Sequence, residues 1–206
     1  MSGRIILTED LLLGQGDHKK TYIDPRDAGR CIKVPFVTPD IDLRRELHYR
    51  RTREKRNLAS CLLTEYYGTV DTNLGTGYVF ERITDFDGKV SLTIGDLFNM
   101  AVSDSDTIPY LEKAMICFRD MLFQELIVIS NVEAANFVVQ RFSETDFTIR
   151  IIDNIGTPVK IPLAYYFDVV ARKRLKKYWK RFLDELQEDY PSVMTEAMKR
   201  RLLQGV

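Results

Sequence analysis

The chain has 206 residues, enough for one full domain or a two-lobed one with a substantial core. Its 30 basic and 30 acidic residues cancel, so no global charge demands nucleic acid or an anionic membrane, and nucleic-acid binding is not expected. No apolar run approaches the ~18–20 residues of a membrane span, and the acidic N-terminus MSGRIILTEDLLL lacks a small-residue cleavage site, so a cytoplasmic protein is expected.

Cys31, Cys61 and Cys117 lie in apolar surroundings and read as reduced core cysteines. With His18 and His48 the only histidines, no Cys/His metal cluster can be drawn. Residues 4–34 alternate short strand-like runs with turns and predict a small antiparallel sheet. Its first turn, Gly14-Gln15-Gly16, is either a plain turn or a place where backbone approaches phosphate oxygens. Lys19 stands where the third glycine of a Gly-x-Gly-x-x-Gly pattern would be. Lys33, in Cys31-Ile32-Lys33-Val34, could be an amine on the exposed face of an alternating strand.

Thr38-Pro39-Asp40 predicts a helix start, with the helix running to about Asn57. On it, Glu46 either faces Lys33 or pairs with Arg50 one turn on. The arginines between Arg44 and Arg56 form a solvated face or a dock for an acidic partner. Residues 66–70 and 78–83 predict a second hairpin around a turn at 71–77. Thr84–Gly88 breaks the pattern and reads as a hinge. A short helix is expected over 93–101 and a longer one over 108–125, with Ile108, Leu111, Met115, Phe118 and Leu122 on one apolar stripe. Residues 127–129 read as a short buried strand.

Two strand-like runs, FVVQRF (137–142) and FTIRII (147–152), flank the polar loop Ser143-Glu144-Thr145-Asp146 and predict a hairpin. Pairing Phe137 with Ile152 would bring Asn136 and Asp153 together at the open end. A carboxamide and a carboxylate are hard oxygen ligands of the kind magnesium takes, alongside water and phosphate. Ordinary turn residues would satisfy the same spacing. After Gly156, Pro162 opens a long helix to about Asp189 and Pro191 a final one. The long helix carries Arg172 to Arg181 around Tyr178 and Trp179, with the aromatics in the core and the cations in water, or the whole set stacking on bases.

The pieces LGQGDHKKTYIDP, RCIK, RRELHY, YYGTVDTNLGTGYVFERITDFDGK and DNIGTPVKIPLA resemble the YrbL family, named for the PhoP regulatory network and regarded as kinase-like. The order of parts is similar to that of the protein-kinase fold. The resemblance covers about residues 11–182. It implies an α+β, two-lobed, protein-kinase-like fold. Residues 1–84 would be an N-lobe with a small antiparallel sheet and one helix, and residues 85–206 a reduced, mainly helical C-lobe carrying the hairpin 136–153. ATP and magnesium are the implied cofactors, and a regulatory protein is a possible partner. Gly14 and Gly16 would lie over the phosphates, and Lys33 would contact them and pair with Glu46. The backbone of Phe80, Glu81 and Ile83 would face adenine, and Asn136 and Asp153 would hold the metal.

The departures from a kinase are equally specific. The catalytic-loop aspartate is replaced by Asn131, which can orient a hydroxyl but cannot take its proton. Glu133 stands where a phosphate-contacting lysine is common. No Ala-Pro-Glu segment follows Asp153-Asn154-Ile155-Gly156. Two functions remain: a kinase-like ATP/Mg-binding protein with weak or atypical phosphotransferase activity, or an inactive pseudokinase-type module that docks a partner through its basic helices.

Overall fold

A computed structural model describes residues 3–37 and 40–205. The chain is an α+β protein. Five antiparallel strands, β1 (Leu12–Gln15), β2 (Lys19–Asp24), β3 (Asp27–Pro35), β4 (Tyr66–Thr72) and β5 (Gly75–Glu81), form one sheet in the order β1-β2-β3-β5-β4. Four consecutive residues of β3, Cys31 to Val34, are buried because both faces of this central strand are covered. Ile32 and Val34 pack with Ile5, Leu7, Tyr22 and Val79 on one side, while Cys31 packs with Phe80 and Leu43 on the other. Lys33 is therefore not a solvent-facing amine; it is 5% exposed. Each fully buried aliphatic side chain here contributes roughly 1.5–3 kcal/mol.

The helix α1 (Ile41–Lys55) follows β3. The expected start at Thr38-Pro39 lies outside the described residues, and the observed N-cap is Asp40, whose carboxylate accepts from Leu43 N at 2.8 Å. The remaining chain holds β6 (Leu92–Thr93), α2 (Ile94–Ser103), α3 (Ile108–Glu125), β7 (Phe137–Arg141), β8 (Phe147–Ile151), α4 (Asp168–Asp189) and α5 (Glu196–Leu203). Strands β6, β7 and β8 form a second antiparallel sheet. α2 begins with a reciprocal cap: Thr93 Oγ1 accepts from Asp96 N at 3.0 Å, and Asp96 Oδ2 accepts from Thr93 N at 2.8 Å. α3 has the expected bounds and buries Leu111, Met115, Phe118 and Leu122 against the β7–β8 hairpin and α4.

Four expectations are corrected. The segment 127–129 is not a strand; it makes one bridge, Ile129 to Ile155. Pro162 opens only a single 3₁₀ turn, Leu163–Tyr165. There the ring of Tyr165 turns inward, 4.6 Å from that of Tyr49, and the chain extends at Phe167 before α4 begins. The last helix starts at Glu196, capped by Thr195, and not at Pro191. Cys61 is exposed rather than in the core, its thiol 2.9 Å from Glu125 Oε1. In α4 the aromatics do face the core: Trp179 is 1% exposed and its indole N–H donates to Leu202 O at 3.0 Å. Among the described residues, no helix is long and apolar enough to cross a membrane.

Candidate functional site

The five-stranded sheet faces the β7–β8 hairpin across a cavity of about 360 Å³. Gly14, Lys33, Phe80, Glu81, Ile83, Asn136 and Asp153 all line it. A second, more polar cavity of about 460 Å³ shares Asn136 and Asp153 and takes in Gly16 and Asn131. Only Glu46 of the nominated residues lines neither cavity.

The hairpin that carries Asn136 and Asp153 is shifted by one residue from the expected register. Phe137 pairs with Ile151, and Asn136 O accepts from Ile152 N at 3.0 Å. The cause is Phe142, which leaves the ladder at 57% exposure and joins the turn. There Ser143 Oγ accepts from the N–H groups of Thr145 and Asp146 at 3.2 and 3.0 Å. The slip leaves Asn136 and Asp153 at the open end of the hairpin.

Lys33 reaches this end from β3. Its Nζ donates to Ile152 O at 2.5 Å and lies 4.4 Å from the centre of the Phe80 ring. The expected pair with Glu46 is not formed. Glu46 is 1% exposed and bound to Arg50 at 2.7 Å, and Arg50 is itself anchored on Thr64 O. A buried carboxylate needs a partner, and the guanidinium one turn along the same helix supplies it.

Asp153 is held instead by Lys19. The ammonium lies 2.8 Å from Oδ1 and 2.7 Å from Oδ2, and Oδ1 also accepts from Asn154 N at 2.8 Å. Burial would push the Asp153 carboxyl up. The charges of Lys33 and Lys19 and these hydrogen bonds outweigh it and hold the carboxyl below its ordinary value. For Lys19, burial works against the charge, but Asp153 prevails and its pKa is raised. Sequence reasoning noticed Lys19 only as the residue in place of a glycine. Strand alternation was the available signal: Lys19 shares a face with Thr21, which pairs with Lys33.

In the second cavity, Glu133 receives two amides. Asn131 Nδ2 donates to Oε1, and Asn136 Nδ2 donates to Oε2 at 3.3 Å. Arg45 closes the far wall, bonded to Asp42 at 2.8 Å and Ser130 Oγ at 2.9 Å. Gly156 ends the Asp153–Gly156 turn at φ +94°. A Cβ there would lie 2.7 Å from Tyr165 Oη and 2.9 Å from Arg45 Cγ, so no other residue fits. Among the described residues, no group of three or more His, Cys, Asp or Glu side chains could hold a metal ion. Asn136 and Asp153 offer two oxygen donors, a set that suits magnesium when phosphates and water complete it.

These residues define an α+β protein with a cleft between an antiparallel sheet and a hairpin. Residues 5–187 match the family described as PhoP regulatory network protein YrbL, and the chain belongs to that family. It is 35% identical over 182 residues to YrbL of Escherichia coli (strain K12), covering 87% of this chain and 86% of that protein. YrbL of Shigella flexneri matches to the same extent. Membership relates the chain to the PhoP regulatory network for which the family is named.

Proposed function

We propose that this protein is a kinase-like ATP- and magnesium-binding member of the PhoP regulatory network with weak or atypical phosphotransferase activity. In this reading residues 1–84 and 85–206 act as two lobes around the nucleotide. The observation that carries it is convergence: seven residues nominated from sequence line one cavity, although they come from five separate stretches of chain. Leu13, Phe80, Ile83 and Val138 supply apolar walls for a flat base. The N–H groups of Glu81 and Arg82 are already committed, to Glu65 O and Gly29 O at 2.9 Å each. Adenine would therefore be read by the backbone at Ile83. Gly14 and Gly16 would cover the phosphates, Lys33 would bind them, and Asn136 and Asp153 would hold a magnesium ion that neutralises phosphate charge. Asn131 would orient an acceptor hydroxyl, and the Glu133 carboxylate beside it would take the proton that an amide cannot. Positioning and electrostatics dominate phosphoryl transfer, so such a site can be slow without being inert.

The test is thermal unfolding with ATP and magnesium. A ligand present at about 100 times its Kd stabilises the folded state by about 2.7 kcal/mol. A clear upward shift is expected, absent in Lys33→Ala and in Asp153→Ala. No shift for the parent chain at millimolar nucleotide would sink the reading.

One further observation favours docking as a second reading. Val159, Ile161, Leu163, Tyr166, Phe167 and Val169 are each about half exposed or more, from 49% to 81%. They run into the exposed cations Arg172, Lys173, Lys176, Lys177 and Lys180 of α4. An exposed apolar stretch of chain leading into exposed cations suits an acidic partner.

A further inference from the structure

Two ammonium groups, Lys19 and Lys33, act on one carboxylate, Asp153, at the inner end of the cleft. Of the other buried acids whose charge reaches Lys19, Glu46 is bound by Arg50 and Asp40 caps α1 by accepting from Leu43 N. Lys19 is only 8% exposed, and both of its short contacts are to the oxygens through which Asp153 would ligate a cation. A divalent ion and the Lys19 ammonium cannot share those oxygens, because they repel each other.

We propose that Lys19 is a third phosphate-binding residue of this cleft, one that occupies Asp153 until a divalent cation arrives together with a polyphosphate. The proposal rests on the nucleotide reading given above. Once the metal takes Asp153, the released ammonium stands in a buried site beside the phosphate chain that arrives with the metal, and pairs with it. Lys19 lies on the same strand face as Thr21 and the neighbouring Lys33, so its side chain needs only to turn from carboxylate to phosphate. Metal and nucleotide then bind cooperatively: each weakens the Lys19–Asp153 pair for the other.

The full-length chain is compared with Lys19→Met and Lys19→Arg. Mn²⁺ alone is titrated by electron paramagnetic resonance, and MgATP and adenosine by calorimetry. A charged hydrogen bond of about 1.5–3 kcal/mol corresponds to at least about tenfold in affinity. Lys19→Met should bind Mn²⁺ without nucleotide at least about tenfold more tightly and MgATP at least about tenfold more weakly, with adenosine unchanged. Lys19→Arg should stay near the parent in all three. Equal Mn²⁺ and MgATP affinities in parent and Lys19→Met overturn the role of Lys19 and leave the nucleotide reading standing. Loss of adenosine binding along with MgATP also overturns it, since Lys19 would then be shaping the cleft as a whole. A parent chain that binds neither MgATP nor adenosine overturns the nucleotide reading itself. Should Lys19→Met fail to fold, Asp153→Asn answers the same question. It frees both lysines, so metal-free ATP in EDTA should bind at least about tenfold more tightly. An unchanged or weaker affinity there is decisive against the proposal.

Discussion

Glu133 is the carboxylate nearest to Asn131, and its two oxygens are spoken for by two different amides. That arrangement fixes the carboxylate between the residue assigned to the acceptor and the residue assigned to the metal. General-base catalysis is worth typically about 10²–10⁴-fold. Glu133→Gln keeps the shape and gives up the basicity, so any ATP hydrolysis or phosphate transfer should fall by about 10²–10⁴-fold, while the MgATP thermal shift persists. Turnover equal to that of the parent would remove Glu133 from the mechanism. At this scale the sequence was informative where backbone spacing sets position. Gly14, Lys33, Phe80, Glu81, Ile83, Asn136 and Asp153 all reach one cavity. It was silent where side-chain direction decides. Lys19 and Glu133 owe their roles to the groups they face, and of the two partners the sequence left open for Glu46, the structure takes Arg50 and not Lys33.

The helix α1 shows how an element can hide its function in its charge. Its arginines read as one basic run, yet they split by direction. Arg45 bonds Ser130 Oγ, Arg50 bonds Thr64 O, and Arg53 bonds Ala59 O and Glu125 O at 3.0 and 3.2 Å. Arg44, Arg51 and Lys55 remain in solvent. Tyr49 adds a further tie, its hydroxyl accepting from Val128 N at 2.9 Å. Arg45 and Tyr49 thus bind α1 to the loop that leads into Asn131, while Arg50 and Arg53 bind it to the segment before β4 and to the end of α3. Arg53→Met leaves two carbonyls without their donor, which costs about 1–3 kcal/mol. Arg51→Met should stay within about 0.5 kcal/mol of the parent. Urea unfolding of the two variants separates them, and equal midpoints would show that Arg53 contributes nothing beyond an exposed side chain. Elements with strong boundary chemistry were legible in advance. α3 has a proline in its first turn and a continuous apolar stripe, and its ends fell as expected. The β7–β8 register was not legible, because Phe142 is as strand-like in sequence as its neighbours and only the Ser143 turn removes it from the ladder.

For the molecule as a whole, a formal net charge of zero conceals a strong asymmetry. Residues 158–183 contain Lys160, Arg172, Lys173, Arg174, Lys176, Lys177, Lys180 and Arg181 against the single acid Asp168, so 8 minus 1 leaves +7. The rest of the chain then holds 22 basic and 29 acidic residues, or −7. Opposite charges gathered in separate stretches of the chain, with acids returning only at Asp184 to Asp189 in the last turns of α4, do not cancel within a Debye length, which is about 30 Å at 0.01 M salt and about 8 Å at 0.15 M. The chain should therefore be retained by a cation exchanger at pH 7 and about 0.01 M salt and be released near 0.15 M. Lys173→Glu/Lys177→Glu/Lys180→Glu should pass through. Elution of parent and variant together would mean that the acidic remainder already folds over α4, and the docking reading would lose its surface. Retention of the parent alone would place the attraction on the α4 face that adjoins the exposed Ile161, Phe167 and Val169. Charge would then bring an acidic partner to the site, and those apolar side chains would hold it there once salt screens the attraction.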